Sequence, residues 1–527
     1  MDIISTYLTT SRISQPASLR GKAVRHLELT SIRRLIPIFA AWKALLLLIA
    51  VASPGPGYDT STQVLFDRQR GEYDSWFAHG LEHILLRLTR WDGIYFASGS
   101  AHGQVYEQEW AFSWLLSKVT STVARVLLSP LPLSPISKHA LAGVLISHFS
   151  HLLAVLVLYN LVYFITPSTD LRKRQLAFTT ACLHIISPAG IFLSAPSGEA
   201  AFTFFNFLGL LCYAHAIQNR FATFADAFQL DACWTLGAGI CFGLATMMRS
   251  NGLLSGMIFA WDVLTMLPRL QSILRTRDGE HVTRFLATLA AGALVAVGSA
   301  APQVLAYMEY CTSGNTRPWC TALPPSIYSF VQSHYWNVGF LHYWTLSNAP
   351  LFALALPVGW LMVTSALPCL LQTEDLNRAI AGPKEVDARS QPYPPPPQTS
   401  TKEEKVFMHC LPRFALPQLV LVGLTATSFH VQIINRISSG YPVWYLILAV
   451  QICVTGGWQE AEGGSEGRMG QRGSDPVKEV QSRGGGEEKT VSGLLGVKGL
   501  KPEWAVRGMV VYAVVQAGLY ASFLPPA

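Results

Sequence analysis

The sequence predicts an all-α polytopic membrane protein with about eleven transmembrane helices. Three observations predict it. Apolar runs of roughly 20 residues recur along the chain, each long enough to cross a hydrocarbon core about 30 Å thick. Only 13% of the residues are charged and the mean hydropathy is +0.31, whereas soluble globular chains carry roughly 25% charged residues. The charges that do occur fall in the gaps between the runs. A chain of 527 residues can bury a large core in water, so it is this distribution, and not length, that calls for a bilayer.

The predicted spans run, in order, over 35–53, 140–165, 176–194, 200–218, 233–248, 251–267, 285–307, 350–371, 413–433, 442–457 and 505–523. Residues 1–34 form a polar, basic tail without a cleavable signal pattern, so the first run acts as a signal anchor. Arg20, Lys22, Arg25, Arg33 and Arg34 precede that run, which places the N-terminus in the cytoplasm by the positive-inside rule. Parity then assigns every loop. Those it makes cytoplasmic hold Arg172, Lys173, Arg174, Arg220, Arg269, Arg275, Arg277 and Arg284, while the short luminal ones hold only Arg249 and Arg436. The formal net charge of +7 is thereby explained by membrane orientation and not by a nucleic-acid partner.

The membrane core reads as 35–372, with two large loops luminal by parity, 54–139 and 309–349. Residues 373–412, with four prolines at 394–397, and residues 459–500, rich in Gly, Glu and Ser, lack the apolar content that offsets ordering entropy. Both read as disordered cytoplasmic insertions, one before the helices of 413–457 and one before the last helix at 505–523. Seven of the nine cysteines lie in or beside apolar runs and read as packing residues. Cys311 and Cys320 share one polar loop and can pair in an oxidising lumen.

Parity also gathers the chemically capable residues. Five polar clusters fall on the luminal ends: Arg90-Trp91-Asp92 with His102, Glu107 and Glu109; 187–199, ending in Glu199; Arg249 to Asn251; the aromatic stretch with Trp336 and Asn337; and 430–436, with His430 and Arg436. Ionisable groups beside hydrocarbon are costly, which marks them as functional candidates. Asp92 lies in 81–97, a segment with the pattern of an amphipathic interfacial helix. Its carboxylate reads equally as a general base or as a surface partner of Arg87 or Arg90. Glu107 and Glu109 read as sugar or metal ligands, or as solvated side chains. Arg249 has no acidic neighbour in sequence and needs an anion, either a phosphate matched to its fork geometry or Glu199. His430 and Arg436 carry weaker forms of that argument, and His430 reads equally as a helix-end histidine. Tyr335, Trp336, Asn337 and Trp344 are either an interfacial belt or a stacking surface for sugars. No HExxH, P-loop or GxSxG motif stands in a meaningful context, which argues against zinc hydrolase, NTPase and α/β-hydrolase chemistry.

Taken in order, RWDGIYF with AHGQVYEQEWAF, then SPAGIFLSAPSGEAAF, MMRSNG, PWC with YWNVGFLHYW, and HVQIINR resemble the GPI mannosyltransferase 2 family over about residues 90–445. The departures lie mainly in 373–412 and 459–500. The resemblance implies a lipid-donor (GT-C type) glycosyltransferase architecture with a large first luminal loop, in the endoplasmic reticulum membrane. It implies transfer of the second mannose, α1,6-linked, from dolichol-phosphate-mannose to a GPI intermediate on the luminal face, with inversion. It implies no obligatory cofactor or metal, leaves a divalent-cation site open near Glu107 and Glu109, and leaves room for a small membrane accessory subunit. By motif matching it makes Asp92 the base and Glu107 the alternate. Arg249, His430 and Arg436 become donor-phosphate contacts, and Trp91, His102, Glu199, Asn251, Trp336 and Asn337 further substrate contacts.

Other functions remain in view at this stage. Another dolichol-phosphate-sugar-dependent transferase would share the architecture. A transporter would place its ionisable residues mid-membrane within broken helices, whereas here they collect at one end of the spans. A non-catalytic subunit would keep the fold and make Asp92 dispensable.

Overall fold

In a computed structural model the chain is described over residues 17–522, apart from 56, 58, 68–74, 225, 270, 272–274, 276, 277, 313–316, 383–399, 457 and 459–500. Among the described residues all regular structure is helical. The helices are α1 (Ala17–Ala52), α2 (Ser61–Asp67), α3 (Trp76–Leu88), α4 (Asp92–His102), α5 (Trp114–Val126), α6 (Pro135–Ile165), α7 (Asp170–Ile185), α8 (Glu199–Arg220) and α9 (Ala227–Met248). They continue with α10 (Gly256–Met266), α11 (Gly279–Cys311), α12 (Ile327–Trp336), α13 (Ala349–Leu371), α14 (Thr373–Ala381), α15 (Lys402–Thr427), α16 (Ile434–Ile437), α17 (Val443–Thr455) and α18 (Pro502–Ala521).

Eight of the described helices are long and apolar enough to cross a membrane, or nine if the segment Val431–Gly440 and α17, bent at 75°, form one broken span. The eleven spans expected from hydropathy therefore exceed what length and composition support. Two of the expected spans, 176–194 and 251–267, fall on α7, with 16 residues, and α10, with 11. A hydropathy window counts apolar residues whatever their backbone does. Here α7 gives way to the Ser187-Pro188 turn, and α10 follows a 3-10 stretch from Ser250 to Ser255. Irregular backbone at membrane depth is tolerated where protein buries it, and Ser187 is indeed buried, bonded to Tyr445 at 2.7 Å.

Ion pairs sort the helix ends. At one end Arg220 of α8 meets Asp231 of α9 at 3.1 Å and Asp262 of α10 at 3.4 Å. Arg284 of α11 also reaches Asp231, at 2.9 Å, and Arg413 of α15 reaches Asp262 at 2.7 Å. Both aspartates are buried. Removing one partner from such a network costs about 3–5 kcal/mol. Short as it is, α10 together with the 3-10 stretch before it leads from the Arg249 turn to Asp262 of this network. Close backbone approach reinforces the same helices: a Cβ on Gly239 of α9 would lie 2.6 Å from Ala291 Cα of α11. Small residues at helix crossings permit such packing within a bilayer.

Two further expectations are corrected, and the tail is given local structure. Residues 373–412 are not without structure throughout: α14 buries Leu376, Ala379 and Ile380, and α15 opens with a capping box between Thr401 and Glu404. Residues 383–399 of that segment, and all of 459–500, lie outside the described residues. Residues 81–97 are not one interfacial helix but parts of α3 and α4, broken at 89–91. The tail 1–34 is helical from Ala17, as the start of α1.

The two large loops fold against each other. Cys311 and Cys320 are disulfide-bonded, with their Cα atoms 5.7 Å apart. Trp110, Ala306, Trp319, Ile327 and Val331 form a small core between the loops, separate from the main one.

Candidate active site

The break between α3 and α4 is held by the last helix. The Tyr520 hydroxyl of α18 lies 3.0 Å from both Leu88 O and Arg90 O, and accepts the Arg90 N–H at 3.3 Å. Trp91 takes a φ of +51°, a left-handed conformation that costs a non-glycine residue about 1–3 kcal/mol. The outcome is that Asp92 becomes the first residue of α4, at the positive end of the helix dipole, which favours an anion. Its carboxylate is about one-third exposed, at 34%. Burial, and then the neighbouring Arg87, bring the Arg90 guanidinium down to about 10. Burial, followed by the charges of Asp92 and Glu109, raises the Tyr95 phenol above its ordinary value.

Three other elements converge on Asp92. Glu199 opens α8, Arg249 leaves the end of α9 in an extended conformation, and Arg436 sits on the single turn α16. Arg436 Nη2 donates to Asp92 Oδ2 at 2.7 Å and to Glu199 Oε1 at 2.5 Å, and Arg436 Nε donates to the same Glu199 oxygen at 3.0 Å. Arg249 Nη1 reaches that oxygen as well, at 2.6 Å. The Arg436 guanidinium lies 4.3 Å over the Phe192 ring. Gly198 is required for this approach, since a Cβ there would stand 2.7 Å from Met248 O and 3.1 Å from Arg249 Cγ. The Arg249 turn is fastened by Ser250 to Tyr328 at 2.7 Å, and by Asn251, whose Nδ2 donates to the Tyr441 hydroxyl at 3.3 Å.

The remaining sequence candidates lie elsewhere. Glu107 accepts from Trp319 Nε1 at 3.1 Å and from the Tyr335 hydroxyl at 3.2 Å, with Arg317 at 3.7 Å, and so ties the two loops together. Glu109 is buried and accepts the N–H groups of Val105, at 2.6 Å, and Tyr106, at 3.0 Å. Among the described residues no group of three or more His, Cys, Asp and Glu side chains is arranged to hold a metal. His430 donates to Trp336 O at 3.1 Å and stacks on Tyr343, away from the pairs made by Arg436 and Arg249. Trp336 meets Phe112 edge-on, and Phe112 stacks on Tyr95 one turn beyond Asp92. Asn337 caps α12 in the left-handed region, a conformational role. His102 is exposed at the far end of α4.

Sequence reasoning missed Phe192, Tyr520 and Lys43. Lys43 is buried in α1 and donates to Leu193 O and Ser194 Oγ, both at 2.8 Å, beneath the turn that carries Phe192. A signal for it was present, as it is the one charged residue within the span 35–53.

The arrangement offers a half-buried carboxylate, open to an incoming hydroxyl, next to two guanidinium groups. Residues 32–527 match the mannosyltransferase (PIG-V) family. The chain belongs to that family. A GPI mannosyltransferase 2 from Aspergillus oryzae is 37% identical, over 94% of this chain and 96% of its own length. One from Gibberella zeae is 36% identical, over 94% of this chain and 97% of its own. Among solved structures, an Archaeoglobus fulgidus oligosaccharyltransferase aligns with 93% of this chain and 56% of its own at a TM-score of 0.41 and 11% identity. Membership makes the chain a glycosyltransferase, and its apolar helices make it a multi-pass membrane protein.

Proposed function

We propose that the chain adds the second mannose of the GPI-anchor precursor, using dolichol-phosphate-mannose as donor and forming an α1,6 linkage on the luminal face of the endoplasmic reticulum membrane. The observation that carries this is the contact of Asp92 with Arg436, beside Arg249, at the end of the helix bundle that charge bias makes luminal. Relatives covering nearly the whole chain bear the name GPI mannosyltransferase 2. The lipid-donor (GT-C type) architecture belongs to the same proposal.

The chemistry follows from the charges. A β-linked donor and an α-linked product require inversion at C1, hence one base and attack opposite the leaving group. The acceptor C6 hydroxyl attacks C1 as Asp92 takes its proton. The C1–O bond to phosphate breaks, and dolichyl phosphate leaves with the electron pair. Arg249 and Arg436 offset the growing phosphate charge, as guanidinium forks suit phosphate oxygens. Trp91, which precedes the base, and Asn251, which fastens the Arg249 turn, are proposed as further substrate contacts, while His430, Trp336, Asn337 and His102 are proposed as such from the resemblance alone. Glu107, engaged with Trp319 and Tyr335, is the weaker candidate for the base. The reaction so written balances without a resident cofactor.

Complementation of cells that lack the second GPI mannose tests the acceptor, and membranes depleted of dolichol-phosphate-mannose test the donor. Restoration that depends on that donor supports both. A correctly localised chain that fails to restore the second mannose contradicts the acceptor assignment.

A further inference from the structure

We infer that Glu199 is a positioning residue which, acting through Arg436, sets how readily Asp92 accepts a proton. This rests on the proposal that Asp92 is the base. Glu199 has no solvent exposure, 0%, so it touches neither sugar nor phosphate as the chain stands, and the substrate-contact role drawn from the resemblance does not suit it. What it does touch is both guanidinium groups, through one oxygen: Arg249 Nη1 at 2.6 Å, and Arg436 Nη2 and Nε at 2.5 and 3.0 Å.

The decisive feature is sharing. Arg436 Nη2 serves Glu199 and Asp92 together. Two carboxylates therefore face two guanidinium groups, and Asp92 receives only part of one cation. A carboxylate held tightly by an opposite charge keeps its ionised form and is a poor base. Glu199 draws Arg436 away from Asp92 and retains Arg249 altogether. Few other charges face Asp92. On its own helix stand Tyr95 and His102. The preceding turn carries Arg90, with Arg87 and Asp59 beyond. Tyr520 approaches from α18. Packed against α4 are Lys118 of α5, His139 of α6, and Glu107 and Glu109 of the 3-10 turn at 107–111. The ion pair that Asp92 makes is with Arg436, at 2.7 Å.

Neutralising Glu199 leaves Asp92 as the one carboxylate that Arg436 Nη2 serves. An undivided cation stabilises the carboxylate, so Asp92 stays deprotonated to lower pH and becomes a weaker base. The acid limb of the pH–rate profile then moves to lower pH while the plateau falls. Donor affinity does not suffer, because Arg249, released from Glu199, is free for phosphate.

The test is steady-state transfer by the full-length protein in membranes, with dolichol-phosphate-mannose and a one-mannose GPI intermediate, from pH 5 to 9. Glu199→Gln is expected to lower kcat about 10- to 100-fold, to move the acid limb down by about one pH unit, and to leave the donor KM unchanged or lower. Glu199→Gln with Arg249→Gln still leaves Asp92 with Arg436 undivided, so its acid limb is expected to stay at the Glu199→Gln position. A Glu199→Gln profile with the wild-type limb and a raised KM identifies a substrate contact and overturns the inference. So does unchanged kinetics per folded molecule, which identifies a purely structural role. If the single variant does not accumulate, the double variant decides, since a wild-type limb there overturns the inference. Full transfer by Asp92→Asn instead refutes the base assignment on which it stands.

Discussion

One nitrogen of Arg436, Nη2, donates both to Asp92 at 2.7 Å and to Glu199 at 2.5 Å. The three residues lie at positions 92, 199 and 436, on α4, α8 and α16, so the contact exists only when the first loop, the bundle and the broken span are assembled together. Arg436→Ala leaves Glu199 buried with one cation instead of two. Its expected cost is roughly 3–5 kcal/mol, read as lost thermal stability in detergent. Arg436→Lys keeps the charge but replaces a fork by a point, and is expected to fold and to lose at least about tenfold in transfer rate.

Tyr520→Phe removes only a hydroxyl, yet that hydroxyl serves Leu88 O and the backbone of Arg90. Leaving those groups unpaired costs about 1–3 kcal/mol. The turn that presents Asp92 loses its tether, so kcat is expected to fall more than the donor KM rises. Wild-type kinetics in this variant would show that α18 does not position the turn.

The Cys311–Cys320 bond closes a short loop, and removing such a link costs about 2–4 kcal/mol. Cys311→Ser with Cys320→Ser is expected to expose 309–349 to limited proteolysis before the rest of the chain. Transfer should fall in parallel, because Trp319 and Tyr335 in this region bind Glu107 of the first loop. Equal protease resistance with and without the bond would contradict this.

Residues 459–500, rich in Gly, Glu and Ser, are proposed to be dispensable for transfer. Deleting them is expected to leave the transfer rate within about twofold of wild type. Loss of transfer in a stably expressed deletion would assign the segment a function.

Much of this was legible in the sequence, and the physical reasons divide cleanly. Span periodicity and charge bias depend on single residues and their neighbours, so the clusters with Asp92, Glu199, Arg249 and Arg436 could be assigned to one end before any coordinates. The Arg249–Glu199 pair was one of two readings, and it is the one formed, at 2.6 Å. What sequence could not reveal is partner choice across long separations. Nothing local distinguishes His430, bonded to the Trp336 carbonyl, from Arg436, bonded to Asp92. Glu107 and Glu109 look alike in sequence, yet one joins two loops and the other caps a turn. Phe192 and Tyr520 are apolar residues in apolar surroundings, and their roles appear only where Arg436 lies over one ring and the Arg90 backbone meets the other's hydroxyl. Lys43 differs: a lone amine within an apolar span is a visible anomaly, explained by its bonds to Leu193 O and Ser194 Oγ. The span count erred because hydropathy does not see where α7 and α10 stop.

The central claim is tested most directly by transfer of mannose from dolichol-phosphate-mannose to a one-mannose GPI intermediate, comparing wild type with Asp92→Asn at matched protein levels. Asp92 is one-third exposed, so the substitution should leave the fold intact. The predicted result is a two-mannose product from wild type and a rate about 100- to 10,000-fold lower from Asp92→Asn. Equal rates from the two proteins, or no two-mannose product from well-folded wild type, would contradict it.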